Sequence, residues 1–432
     1  MKVSIVTLGC KVNQFESQAL ETLLSERGHS IVSEESAADV CIINTCAVTA
    51  ESGRKSRQAA RRAMGENPSA IIAVCGCWSQ VSPEEAKALG AHIVSGSGDR
   101  RGFVEAIEHA YSGRSQLSIT DDAMKRRVFE PLPAGRLLGR TRAMLKVQDG
   151  CVNFCSYCII PYARGPIRSL PTDEAVKEAR RVAESGIKEI VITGIEIASY
   201  GRDLRDGSDL SSLVAAIASA VPDTRLRLGS LESRVVTRSF CQALSSHGNI
   251  CPHFHLSLQS GCDATLKRMN RKYDTARFFE SVSLLREFFP GCGLTADLIT
   301  GFPGEDENEF SQTLEFIQRC AFSSMHIFPY SVRPGTAAAS MPMQCERSVK
   351  KERAAKAAAV AERLRGEYLS SCVGKTLCVL FETGSGSGSS GHAENYCEVR
   401  VNNEGLCGQI HNVRIVGVDD GVLLGQLCQN QA

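Results

Sequence analysis

Six short apolar runs recur between Ala143 and Tyr330, each separated from the next by a helical pattern, and this repetition limits the possible folds more than any other feature of the chain. The runs are AMLKVQ from Ala143, EIVIT from Glu189, RLRLGS from Arg225, HFHLSL from His253, LTADLI from Leu294 and MHIFPY from Met325. Patterns such as DEAVKEARRVAESG from Asp173 supply helical crossovers between them. Six βα units predict a curved parallel sheet, a partial barrel rather than a closed eightfold one.

The chain has 432 residues, enough for two or three domains. Ahead of the six units, Lys2 to Leu8, Asp39 to Asn44 and Ala70 to Val74 read as buried parallel strands. Helical patterns at Gln14 to Arg27, Ala50 to Met64 and Pro83 to Leu89 separate and follow them, which predicts an open, doubly wound sheet. Its boundary falls in the polar, basic stretch between about Ser115 and Arg142. Behind the six units, a charged helix from Glu346 to Leu369 leads to a strand-like segment, Cys372 to Ala432, with the tract TGSGSGSSG from Thr383 read as flexible. Its size suits a small β-barrel. The expected division is therefore 1–118, 137–368 and 369–432, an α/β protein with an all-β terminal barrel.

No apolar run approaches a membrane span, and the start, MKVSIVTLGCKVNQ, has too short an apolar run for a signal peptide. A cytoplasmic protein with no membrane partner is expected. Nineteen cysteines, an odd count, are then thiols or metal ligands rather than a disulfide framework.

Parallel sheets build their sites at the C-terminal ends of their strands. At the first such end of the six units lies DGCVNFCSYC, with Cys151, Cys155 and Cys158 in C-x-x-x-C-x-x-C spacing. Three thiolates can serve zinc, but no histidine lies close to complete the set. They can also hold a four-iron cluster and leave one iron open to a small molecule. In the first sheet, Cys10, Cys46 and Cys77 each follow a strand and so share one edge. Cys77 is preferred over Cys75, which still continues the strand, and the other thirteen cysteines are read as small buried hydrophobes.

The C-x-x-x-C-x-x-C motif, with Tyr157 before its third cysteine, resembles that of the radical S-adenosylmethionine superfamily. Together with TLGCKVNQ, NTCAVT and GCWSQ it resembles the methylthiotransferase family along nearly the whole chain, and ENYCEV at Glu394 to Val399 is similar to that family's terminal TRAM domain. The resemblance implies two [4Fe–4S] clusters and S-adenosylmethionine. One cluster, on Cys151, Cys155 and Cys158, cleaves the cofactor to a 5′-deoxyadenosyl radical; the other, on Cys10, Cys46 and Cys77, carries sulfur. An unactivated C–H bond offers no proton to a base, so a cofactor radical is the expected route. The family acts on adenosine 37 in the anticodon stem-loop of tRNA or on a ribosomal aspartate, and needs an electron donor and a sulfur source.

PYARGPIRS and GIEIASYGRDL are most similar to the branch acting on N6-threonylcarbamoyladenosine; the isopentenyladenosine branch reads G-Q-N where this chain has Gly194-Ile195-Glu196. Glu196 departs from the histidine or asparagine expected there. Gly194, Glu196, Ser230, Gln259 and Gly301, with Tyr157, are the candidate cofactor contacts at the rim. Arg164, Arg168 and Arg333 are candidates for the substrate, because a bidentate arginine suits the threonylcarbamoyl carboxylate. From Cys372 onward three basic residues, Lys375, Arg400 and Arg414, face six acidic ones, a poor footprint for phosphates. Basic runs lie elsewhere, at Arg54, Lys55, Arg57, Arg61 and Arg62 and at Lys125, Arg126, Arg127, Arg136, Arg140 and Arg142. Within the family the runner-up is the same reaction on isopentenyladenosine; the rival readings from other classes are an electron carrier, which needs compact four-cysteine motifs and no six-unit barrel, and an RNA-binding protein with structural metal.

Overall fold

The computed structural model describes residues 1–113, 117–134, 141–385 and 388–428. Arg136 and Arg140 of the basic stretch, and Gly386 and Ser387 of the glycine–serine tract, lie outside the described residues.

The first sheet has six parallel strands, β1 (Lys2–Thr7), β2 (Ser30–Ile31), β3 (Val40–Thr45), β4 (Ile71–Gly76), β5 (Ile93–Ser95) and β6 (Leu117–Ile119), in the order β2-β1-β3-β4-β5-β6. Helices cover both faces. On one, α1 (Lys11–Glu26) lays Phe15 and Leu20 against Val40, Ile42 and Ala73. On the other, α2 (Ala50–Glu66), α3 (Cys77–Val81) and α4 (Pro83–Ala88) lay Ala60, Trp78 and Ala86 against Cys41, Ile43 and Val74. The strands are apolar on both faces because both are buried. Helix α5 (Arg100–Gly113) joins the α1 face through Phe103 and Ile107.

The six units follow as β7 (Arg142–Asp149), β9 (Glu189–Gly194), β10 (Arg225–Leu228) continued by β11 (Ser230–Leu231), β12 (His253–Gln259), β13 (Gly293–Thr300) and β14 (Ser324–Pro329). A two-residue antiparallel strand, β8 (Arg168–Ser169), edges β7. Between β10 and β11 the chain jogs at Gly229: β10 pairs with β9, and β11 with β12. The two four-stranded sheets thus join through one dislocated strand into an open, six-fold arc. Ala143, Leu145, Ile190, Leu226, Phe254 and Leu256 face the outer helices. The alternate residues, among them Arg142, Lys146, Glu189, Arg227, His253 and His255, therefore share the inner face. Helix α1 packs against β7 and β9 from that inner side, where Glu16 meets Lys146.

A helix from Arg347 to Cys372 runs along β14 into the last unit. There β15 (Thr376–Ser385), β16 (Gly388–Ala393), β17 (Glu398–Val401), β18 (Ile410–Asp419) and β19 (Val422–Leu427) close a barrel in the order β15-β16-β17-β19-β18. The described residues of the tract read as flexible are instead paired strand, β15 with β16 down to Ser385 opposite Gly388. Gly388 and Gly391 serve close packing, since a Cβ on them would lie 2.3 Å from the Val401 and 2.0 Å from the Leu380 carbonyl oxygen. The barrel docks at the N-terminal ends of the core strands. Arg227 donates to the Glu394 carbonyl at 2.9 Å, and Tyr396 stacks on His253 with ring centroids 4.6 Å apart. It therefore sits at the opposite end of the core from the cysteine loop.

Candidate active site

Strand β7 ends at Asp149, and the chain turns through Gly150 at φ +76°. A Cβ there would lie 1.8 Å from the Pro166 carbonyl oxygen, so glycine alone makes the turn. The loop is pinned by Cys151 N donating to the Gly165 carbonyl and Cys158 N to that of Cys155, both at 2.9 Å. All three thiols lie within electrostatic reach of one another, and burial pushes those of Cys151 and Cys158 up to about 12. The Arg271 guanidinium donates to Cys155 Sγ at 3.2 Å, to the Ser257 carbonyl at 3.1 Å and to the Tyr273 hydroxyl at 3.1 Å. Tyr157 packs edge-on against Phe302 beside this loop.

The second triad forms at the matching edge of the first sheet. Cys10 immediately precedes α1, Cys46 follows β3 and Cys77 opens α3. Gly9, at φ +103°, lets the first loop close on the second: its Cβ would lie 2.8 Å from Cys46 Sγ. Each thiol feels at least one other electrostatically, and burial raises all three. Cys10 keeps surface open to solvent although neighbouring groups desolvate its thiol. Cys75 points to the opposite face of the sheet, within the α1 core, where burial pushes its thiol up to about 11. Among the described residues no three His, Cys, Asp or Glu side chains are arranged to grip a single ion. In a four-iron cluster each thiolate takes a different iron, so the thiols need not meet at one point.

Between the triads lies a knot of buried charge. Glu16 pairs with Arg100 at 2.8 Å, Lys146 at 3.3 Å and Arg164; Asp149 pairs with Lys146 at 2.7 Å, Arg168 at 3.4 Å and Arg164 at 3.7 Å. Burial alone would raise both carboxyls. Arg164, Arg100 and Lys146 outweigh it at Glu16, holding it well below 4.5, and Lys146, Arg164 and Arg168 hold Asp149 at about 2. Replacing Glu16→Gln leaves Arg100 without a carboxylate and Lys146 and Arg164 with Asp149 alone, and is expected to cost about 3–5 kcal/mol, measured by chemical denaturation. Both folded values lie below the unfolded ones of 4.5 and 3.8. The stability these groups confer is thus complete above about pH 4.5 and falls away toward pH 2, and the Gln variant should show a shallower fall.

This knot corrects the expectation for two arginines. Arg164 is fully buried, with Nε on Cys77 Sγ at 3.2 Å and Nη2 on Asn13 at 3.0 Å and Glu16 at 3.2 Å. Arg168 is buried too, donating to the Arg164 and Pro166 carbonyls. Neither guanidinium is free to receive a substrate carboxylate. Arg333 differs: its loop docks on α2, where Ser331 accepts from Ala50 N at 3.0 Å, its guanidinium lies close to Gly53, and its buried Nε has no hydrogen-bond partner.

At the rim, Glu196 accepts from Asn153 at 3.3 Å beside Cys151. Burial, reinforced by Glu232, pushes its carboxyl up to about 7. Ser230 is exposed on the inner face and shares a 2.9 Å hydrogen bond with Ser257; Gln259 ends β12 at φ +68°, and Gly194 ends β9. Gly301 is less open. Its N–H donates to Glu305 at 2.9 Å, and Lys350 packs where its Cβ would be. Arg54, Arg57 and Arg62 of α2 each meet a carboxylate, as a solvated helix face does. Sequence reasoning did not select Arg271, Glu16 or Lys11. The last has Arg227, Arg142, Glu189 and Asp297 of the inner face as electrostatic neighbours. Its position directly after Cys10 was the available signal.

The donor sets suit anionic clusters. A four-iron cluster on three thiolates is an anion. The knot carries four buried cations against two carboxylates, leaving two positive charges to face it. Arg271 plays the same part at the other triad.

This partial barrel opened by a three-thiol loop is the architecture of radical S-adenosylmethionine enzymes. Residues 145–317 match the Radical SAM superfamily and residues 2–96 the Uncharacterized protein family UPF0004. The radical S-adenosylmethionine methyltransferase TsrM of Kitasatospora setae shares the fold, with a TM-score of 0.58 at 14% identity over 89% of this chain and 79% of that one. The threonylcarbamoyladenosine tRNA methylthiotransferase MtaB of Bacillus subtilis is 39% identical over 96% of this chain and 93% of its own length. A tRNA-2-methylthio-N(6)-dimethylallyladenosine synthase from Pelotomaculum thermopropionicum is 32% identical over 99% and 98%. The chain belongs to the radical S-adenosylmethionine methylthiotransferase family, whose chemistry uses S-adenosylmethionine and [4Fe–4S] clusters. No helix among the described residues is long and apolar enough to cross a membrane.

Proposed function

We propose that the chain transfers a methylthio group to C2 of N6-threonylcarbamoyladenosine at position 37 of tRNA. The observation that carries this reading is the placing of two three-thiol sets at strand ends bridged by Arg164, in a chain 39% identical to a relative named as a threonylcarbamoyladenosine tRNA methylthiotransferase. Cys151, Cys155 and Cys158 hold the radical cluster, and Cys10, Cys46 and Cys77 the second. Bound there, the clusters and S-adenosylmethionine supply hydrogen abstraction and the sulfur and methyl of the transferred group. The protein's own part is positional. Arg271 fixes the Cys155 sulfur, Tyr157 walls the loop, and Glu196, Ser230 and Gln259 offer polar contacts at the rim. Residues 1–118 thus form the sulfur-donating unit, 137–368 the radical core and 369–432 the TRAM unit.

With Arg164 and Arg168 committed to the knot, Arg333 and Lys11 are the candidate cations for the carboxylate of the threonylcarbamoyl group. The acidic terminal barrel lies at the far end of the core from the Cys151 loop, so any part of the tRNA that meets it is remote from the reacting base. An electron donor and a sulfur source complete the reaction. Mass spectrometry of tRNA nucleosides tests the reading: a strain lacking the gene should lose the methylthio form of threonylcarbamoyladenosine and regain it on complementation. Loss of the isopentenyl form instead would assign the substrate of the dimethylallyl relatives.

A further inference from the structure

We infer that Arg164 is a positioning residue through which the loop of the radical triad holds the N-terminal triad and sets its redox character. The inference rests on the proposal that Cys10, Cys46 and Cys77 carry a cluster. Arg164 ends α6 (Ile160–Arg164), only six residues beyond Cys158, yet its side chain crosses to the other sheet. Its Nε donates to Cys77 Sγ at 3.2 Å. Its Nη2 donates to Asn13 Oδ1 at 3.0 Å, and Asn13 in turn donates to the carbonyls of Leu8 and Thr45 at 2.7 and 2.9 Å, the two strand ends that deliver Cys10 and Cys46. One guanidinium thus touches one thiol of the triad directly and braces the loops of the other two.

Two physical effects follow. An N–H donated to a ligating sulfur withdraws electron density from it, and a buried positive charge favours the more reduced, more negative state of a cluster. Both raise the reduction potential. Glu16 and Asp149 neutralise only part of the local charge, because Arg100, Lys146 and Arg168 converge on the same two carboxylates. Arg271 makes the corresponding contact on Cys155 alone, so it provides an internal control.

The test uses the full chain carrying Cys151→Ala, Cys155→Ala and Cys158→Ala, reconstituted anaerobically so that only the N-terminal site can be loaded. Arg164→Gln in this background should move the cluster's midpoint, followed by electron paramagnetic resonance, to more negative values. It should also speed iron loss to a chelator by about 10- to 100-fold, the usual cost of removing a residue that orients a metal ligand. Arg164→Lys keeps the buried charge but not the directed Nε–H. It should shift the midpoint in the same direction by less, and it is the variant read if glutamine prevents folding. Arg271→Gln should leave the midpoint where it was. An unchanged midpoint and chelation rate on replacing Arg164 would overturn the inference while leaving the N-terminal cluster in place. Failure of the parent triple variant to take up iron would remove the cluster itself and the inference with it.

Discussion

Cys77→Ala is expected to abolish methylthio transfer while cleavage of S-adenosylmethionine continues. Cys77 opens α3 on the edge shared with Cys10 and Cys46, whereas the proposed site of cofactor cleavage is the other triad, in a loop whose backbone hydrogen bonds do not involve Cys77. Cys75, two residues earlier, is the contrast. It lies on the opposite face of the sheet among Phe15, Ala73 and Phe103, so Cys75→Ala should retain activity and lose only about 1 kcal/mol of stability, the scale of one small buried group. Product and 5′-deoxyadenosine measured in the same reaction separate the two outcomes. Iron gives a second readout: two clusters hold about eight irons, and the protein lacking Cys151, Cys155 and Cys158 should keep about half. Full activity in Cys77→Ala, with none in Cys75→Ala, would reverse the assignment.

The second large effect concerns substrate choice. Reconstituted enzyme given tRNA bearing threonylcarbamoyladenosine should form methylthio product, and tRNA bearing isopentenyladenosine should give little. The threonylcarbamoyl group ends in a carboxylate, which a buried or half-buried cation binds by a charge-assisted hydrogen bond worth about 1.5–3 kcal/mol. The isopentenyl group is neutral and gains nothing from that cation. Lys11→Met and Arg333→Gln should each narrow the preference by roughly 10- to 100-fold in kcat/KM, the rate equivalent of that energy. Equal turnover on the two tRNAs by the unaltered enzyme would refute the substrate assignment and leave the radical chemistry untouched.

Much of the architecture was legible because buried parallel strands announce themselves as apolar runs and their C-terminal ends share one rim. That logic placed both thiol triads without any contact information. It missed β2, β5 and β6, which have two or three residues each and are too short to show a period. It misread the glycine–serine tract, since the sequence does not reveal whether glycine is there for freedom or for close approach. The arginines were the least legible. Arg164 and Arg271 sit in polar, loop-like stretches, and only the fold shows that their guanidinium groups turn inward onto sulfur. Glu16 was invisible for the same reason: a glutamate on an amphipathic helix is ordinarily solvated, and this one is buried because its partners come from residues 84, 130 and 148 positions away.

Helix α1 fills the open side of a barrel that never closes on itself, so the N-terminal sheet is a wall of the radical core rather than an appendage. That has a consequence for inheritance. A chimera taking its first sheet from one relative and its core from another joins half of a charge knot to a stranger's half. Glu16 and Arg100 come from one parent, Lys146, Asp149 and Arg164 from the other, and a mismatch leaves ions buried without partners. A charge-removing change at one of these five positions is therefore expected to need a compensating change at another.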